Sequence, residues 1–227
     1  MSSLISSLRT SFFTLLFSLL CTAVQAEPAP PSIMDNLMDI DRYLLLYGST
    51  GDERFLERLA QQGKLLQARI TEEQNARILL DIWSLYQEQL AKVRQAFVNE
   101  ETDLKKAVRQ SLEVVRVFDD FVLGQEQQAS PSLADNLRAL ALGKVRQASS
   151  HLLEKPLPEE DTGKLLTLSE TIEAQMASLP TSVDPKSWQN DLRMRWHYLK
   201  TTMRDDALLR YPFNSQIEKM LATLSQH

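Results

Sequence analysis

Four basic side chains, Arg193, His197, Lys200 and Arg204, recur at i, i+4, i+7 and i+11. At about 100° per residue this spacing sets them in one narrow stripe along a helix. Beside it, Trp188, Leu192, Trp196, Leu199 and Met203 fall within a second stripe roughly 80° wide. A basic ladder next to two tryptophans can receive an acidic peptide, a phosphate or an anionic lipid head group. The competing reading makes both tryptophans core and the ladder a solvated face, or pairs it with the acidic turn Glu159-Glu160-Asp161. A second constellation is aromatic. Tyr43, Tyr47, Trp83 and Tyr86 would line an inter-helix pocket for a small ligand if the fold brings them together.

Other chemistry finds little support. The one cysteine, Cys21, lies in a segment that reads as cleaved, so no thiol nucleophile or disulfide is expected. No Gly-x-Ser-x-Gly elbow and no His-Glu-x-x-His motif occurs. The three histidines, His151, His197 and His227, do not fall in a metal-ligand pattern. Asp119-Asp120 and Asp205-Asp206 are adjacent, so on a helix each pair points about 100° apart and cannot share one site. The expectation is a non-enzyme without cofactor or metal.

The N-terminus carries an address. Arg9 precedes an apolar run, Phe12 to Val24, of signal-peptide length, and Val24-Gln25-Ala26 offers a cleavage site after Ala26. Residues 1–26 therefore read as a secretory signal peptide and 27–31, Glu-Pro-Ala-Pro-Pro, as an extended tether. Membrane association would need this segment to stay uncleaved or Cys21 to be lipidated, and Leu20 before Cys21 argues against lipidation. Removing Arg9 moves the net charge from −5 to −6, which excludes global attraction to nucleic acid or anionic lipid. The lack of disulfides and of any Asn-x-Ser/Thr sequon favours a bacterial periplasm over a eukaryotic secretory route.

The elements that must position these residues are helical. Only six glycines argue against an all-β or glycine-loop architecture. Ile33, Leu37, Ile40, Leu44 and Tyr47 share one face of a first helix from Ser32 to Tyr47, whose end, Tyr43-Leu-Leu-Leu-Tyr47, is apolar almost all round. Gly48 to Gly51 breaks it. Thr50 with Glu53 and Thr71 with Gln74 have capping-box spacing for the next two helices. The second of these puts Ile78, Ile82, Leu85, Tyr86, Val93 and Phe97 on one stripe, and a further helix carries Leu104, Val108, Val115, Phe118 and Val122. In the second half, Ser130-Pro131, the acidic Glu159 to Asp161 and Asp184-Pro185 each open a helix, and a last one runs from about Asn214 to Leu224.

The halves look related. Pro31-Ser-Ile-Met-Asp-Asn-Leu37 matches Pro131-Ser-Leu-Ala-Asp-Asn-Leu137, and Gly63-Lys-Leu-Leu66 matches Gly163-Lys-Leu-Leu166, both one hundred residues apart. An old duplication would give two four-helix units, 32–128 and 129–227; chance similarity of leucine-rich helices would leave one continuous domain.

Met34-Asp-Asn-Leu-Met38 and Tyr198-Leu-Lys-Thr-Thr-Met203-Arg204 loosely resemble stretches of haem-carrying four-helix-bundle cytochromes. The axial histidine which that resemblance implies is absent, where this chain has Asp206-Ala-Leu-Leu-Arg210, so Met34 and Met38 are expected to fill core. Arg42-Tyr-Leu-Leu followed by Gly51-Asp-Glu-Arg-Phe-Leu-Glu57 resembles the first helix junction of CHASE3-type extracellular sensor domains, with an insertion at Leu46 to Thr50. The resemblance covers Arg42 to Glu57 and implies a four-helix bundle outside the membrane of a signalling receptor. The chain shows no second span or cytoplasmic output module, so signalling would need a separate partner. The expectation is an all-α protein of antiparallel helical bundles, acting on an envelope protein or a receptor ectodomain. The alternatives are a small-ligand sensor and a structural or chaperone-like envelope protein.

Overall fold

The computed structural model describes residues 32–73, 75–99, 101–123, 130–150, 159–202 and 209–227. Residues 1–31, read above as signal peptide and tether and including Cys21, lie outside them with Met203 and Arg204, as do the side chains of Phe118 and Val122. The described residues form eight α-helices and no strand: α1 Ile33–Thr50, α2 Glu53–Ile70, α3 Ala76–Asn99, α4 Glu101–Leu123, α5 Leu133–Ala148, α6 Glu159–Ser178, α7 Trp188–Thr202 and α8 Asn214–Leu224. A π turn, Leu209–Phe213, holds Pro212 just ahead of α8, a place where a missing backbone N–H does little harm.

Helix α1 is the centre of the molecule and packs on α2, α4 and α5. Its Tyr43–Tyr47 run is buried on every side, as its all-round apolar pattern predicts. Ser32 and Asp35 form a reciprocal capping box at its start, the Ser32 hydroxyl accepting from the Asp35 N–H at 3.1 Å and the Asp35 carboxylate from the Ser32 N–H at 2.9 Å. The helix runs through Gly48 and stops at Gly51, whose φ of 66° is left-handed and open to glycine at little cost.

Several caps sit one or two residues from where spacing alone puts them. Asp52, not Thr50, caps α2 by accepting from the Arg54 N–H at 2.9 Å, while the Thr50 hydroxyl donates back to the Leu46 carbonyl. Thr71 closes α2 through the Ala68 carbonyl and does not open α3. Ser132, not Ser130, caps α5 and forms with Asp135 the same box that opens α1. Helix α7 begins at Trp188, because Asp184 accepts from the Lys186 N–H in a preceding turn and Ser187 takes the Asn190 N–H. Each turn offers several short polar side chains. The one that wins is the one whose oxygen reaches a free N–H two or three residues ahead.

Two hydrophobic cores result. One is built on α1 to α4 around Leu37, Leu44, Leu66, Val93 and Val108. The other is built on α5 to α8 around Leu140, Ile172, Leu199 and Ile217. Helix α5 serves both, sending Leu142 and Val145 into the first and Leu137, Leu140 and Ala141 into the second. Helices α1 and α5 run parallel. Arg138 pairs with Asp35 at 2.9 Å near their starts, Arg146 in the last turn of α5 with Asp41, and Ser49 with Ser149 at 3.0 Å near their ends. Met34 and Met38 are half-buried against the first core.

Helix α3 departs from its expected face. Leu79, Trp83, Tyr86 and Val93 are buried, whereas Ile78 is 49% and Leu85 52% exposed, with Ile82 half-buried. The helix carries two adjacent apolar rows, and the bundle covers one of them. Among the described residues no helix is long and apolar enough to cross a membrane.

Candidate functional site

Helix α7 places the basic ladder against α6. Arg193 donates through Nη2 to the Leu179 carbonyl at 2.6 Å, so this cation closes the C-terminal end of α6. Lys200 meets Glu173 of α6 at 2.6 Å, and the Trp196 indole donates to the same carboxylate at 2.7 Å. The Lys200 and Trp196 hydrogen bonds hold the Glu173 pKa below its ordinary value. Among the described residues the acid that answers the ladder is Glu173; the side chains of Glu159, Glu160 and Asp161 lie outside them. Of the remaining candidates, His197 is exposed and Arg204 lies outside the described residues. Trp196 is buried, and Trp188 is half-buried with its ring stacked on His227 at 4.9 Å.

Next to the ladder lies a feature that sequence reasoning passed over. Met194 is 64% and Tyr198 42% exposed, one turn apart and flanking His197. Their signal is legible: both are large apolar side chains that fall outside the tryptophan stripe of their own helix. The outer face of α7 thus presents a thioether, a phenol and an imidazole to solvent, with Lys200 at the edge.

The aromatic constellation divides. Trp83 and Tyr86 stack on each other along α3 at 5.2 Å. Tyr43 is directed to α8, where its hydroxyl donates to Glu218 at 2.7 Å, while its ring stacks on Phe55, which stacks in turn on Tyr211. Tyr47 is buried in the first core, and burial followed by the Glu53 charge raises its pKa. Burial also raises the Tyr43 pKa, so this phenol is a neutral donor rather than a base.

Arg42 organises the centre of this region. It is 1% exposed, faces Asp39 at 2.7 Å and donates through Nη2 to the Tyr43 oxygen at 2.9 Å. Burial acts against its charge, but Asp39, Tyr43 and Glu218 together hold its pKa above the ordinary value. Asn214 also donates to Glu218, at 2.9 Å. The chain Asp39–Arg42–Tyr43–Glu218–Asn214 ties α1 to α8 and joins the two halves by polar contacts under the apolar ones. Among the described residues five buried donor atoms have no hydrogen-bond partner: Arg42 Nε and Nη1, Trp83 Nε1, the Tyr86 hydroxyl and Arg138 Nε.

Among the described residues no group of three or more His, Cys, Asp or Glu side chains could hold a metal ion. Compared with known protein families, with curated proteins and with solved structures, the chain matches none.

Proposed function

We propose that this chain is an exported, periplasmic helical-bundle protein without catalysis of its own, which works by docking on another envelope protein or a receptor ectodomain. The observation that carries this reading is the outer face of α7, where Met194 and Tyr198 stand exposed beside His197. Methionine and tyrosine are enriched at the centres of protein interfaces, where a flexible thioether and a rigid phenol bury area cheaply. Arg193 and Lys200 beside them are engaged on α6, so these two set the edge of the face more than its affinity. Export is supported by the charged, apolar and small-residue pattern of residues 1–26.

A photo-crosslinking residue placed at Tyr198 in growing cells tests the reading. A discrete adduct is expected at this position, absent from the exposed Glu57 on α2 and lost when Met194→Glu is added. Equal labelling at both positions, or none at Tyr198, overturns it.

A second reading, a small-ligand sensor, draws on the Trp83 indole N–H and the Tyr86 hydroxyl, two buried donors side by side without an acceptor. Either would bind the acceptor oxygen of a ligand entering the first core. Tyr86→Phe distinguishes the cases. A gain in melting temperature with no change in any response points to a packing defect, and a lost response to a ligand.

A further inference from the structure

We infer that the uncovered row on α3 is a self-docking face through which two copies of this chain pair, α3 against α3 and antiparallel. Ile78, Ile82 and Leu85 form the row at i, i+4 and i+7, and its two ends are about half exposed. Along the outer border of the row run the exposed charges Arg77, Asp81, Glu88 and Lys92. Arg77 and Glu88 form no ion pair within the chain among the described residues.

The order of these residues selects a second copy as the occupant. In an antiparallel pair of identical helices, equivalent borders face each other across a two-fold axis. Arg77 and Glu88 stand equally far on either side of a point between Ile82 and Trp83. A two-fold at that point therefore sets Arg77 of each copy against Glu88 of the other, which makes two ion pairs from one sequence feature. The same axis drops Leu85 midway between Ile78 and Ile82 of the second copy, the knob-into-hole arrangement that an apolar seam requires. Glu73, in the turn before α3, and Lys92 are also equidistant from this point. Asp81 is the one unfavourable charge. It lies closest to the axis and approaches its own copy. A parallel pair would instead set this charged border against the opposite flank of the second copy's row, so Arg77 and Glu88 would not meet.

Three apolar side chains per copy are fewer than a standard interface of about 800 Å² per partner contains, so the pairing is a weak, reversible one. It uses a different helix from the α7 face, and either surface can fail without the other.

Sedimentation of the purified protein over a concentration series tests the inference. The wild type should show a monomer–dimer equilibrium that weakens with salt. Arg77→Glu and Glu88→Arg should each weaken it by about tenfold, as two exposed ion pairs become repulsions. The double variant R77E/E88R should return to wild-type association, and Asp81→Asn should tighten it. Leu85→Glu should leave a monomer with unchanged circular dichroism, because the residue is half in solvent already. A wild type that stays monomeric throughout overturns the proposal. So does a double reversal that fails to restore pairing, which would assign the row to a different molecule.

Discussion

Ser49 and Ser149 share a hydrogen bond of 3.0 Å between their side chains, and they are one hundred positions apart. The same interval separates the two matched sequence words and the two capping boxes, Ser32 with Asp35 and Ser132 with Asp135. The parallel course of α1 and α5 brings positions about one hundred apart to the same level along the two helices.

That contact can be dissected. Ser49→Ala and Ser149→Ala should each cost about 0.5–1.5 kcal/mol, since each strands the other hydroxyl in a largely buried place. The double variant should cost no more than the larger single, because no stranded partner remains. Urea unfolding of the four proteins measures the coupling; simple additivity would mean that the two hydroxyls act independently.

The matched glycines should respond in opposite directions. A Cβ on Gly63 would lie 2.8 Å from the Trp83 ring, and a buried indole cannot swing aside, so Gly63→Ala should destabilise by roughly 1–3 kcal/mol. A Cβ on Gly163 meets nothing within 4 Å. There, inside α6, Gly163→Ala should stabilise by about 0.5–1 kcal/mol through helix propensity and a less free unfolded chain. Thermal melts of the pair decide it, and equal shifts would refute the difference in packing.

Arg42 is the most consequential single residue. Arg42→Met should cost about 3–5 kcal/mol, because it leaves the buried Asp39 without its nearest cation. Tyr43→Phe removes only the neutral link between Arg42 and Glu218, and should cost about 1–3 kcal/mol. A larger loss at Tyr43 than at Arg42 in denaturant titrations would show that the phenol's hydrogen bonds, not the charge pair, hold this junction.

Acid should loosen the contact between the start of α2 and the segment before α8. The hydrogen bond from Arg54, followed by that from Tyr211, holds the Asp52 pKa far below its ordinary value of 3.8. A depressed acid contributes stability that is fully present above that ordinary value and disappears as pH falls through the lowered one. The difference in melting temperature between wild type and Asp52→Asn should therefore be constant near neutrality and shrink steadily below about pH 4. Asp35 works in the opposite sense. Burial raises its pKa, so its protonation favours the fold and partly offsets the loss. A difference that grows in acid would contradict the assignment for Asp52.

Helical periodicity was enough to establish the all-α class, the eight helices of the described residues and the burial of the Tyr43–Tyr47 run, because apolar spacing is a local property that any helical packing must respect. Cap positions were legible only to within a residue or two, since Ser130, Ser132, Thr50 and Asp52 compete for the same free N–H groups and only the path of the chain settles which one reaches. The basic stripe on α7 was visible, but its employment was not. Whether Arg193 and Lys200 face solvent or α6 depends on Leu179 and Glu173, residues the spacing of α7 says nothing about. Helix α3 makes the same point from the other side. Its apolar spacing put Ile78, Ile82, Leu85, Tyr86 and Val93 on one stripe. Packing against the neighbouring helices splits that stripe, sending Tyr86 inside with Leu79 and Trp83 and leaving Ile78 and Leu85 out, because a four-helix packing covers one side of an outer helix and leaves the other to water or to a partner.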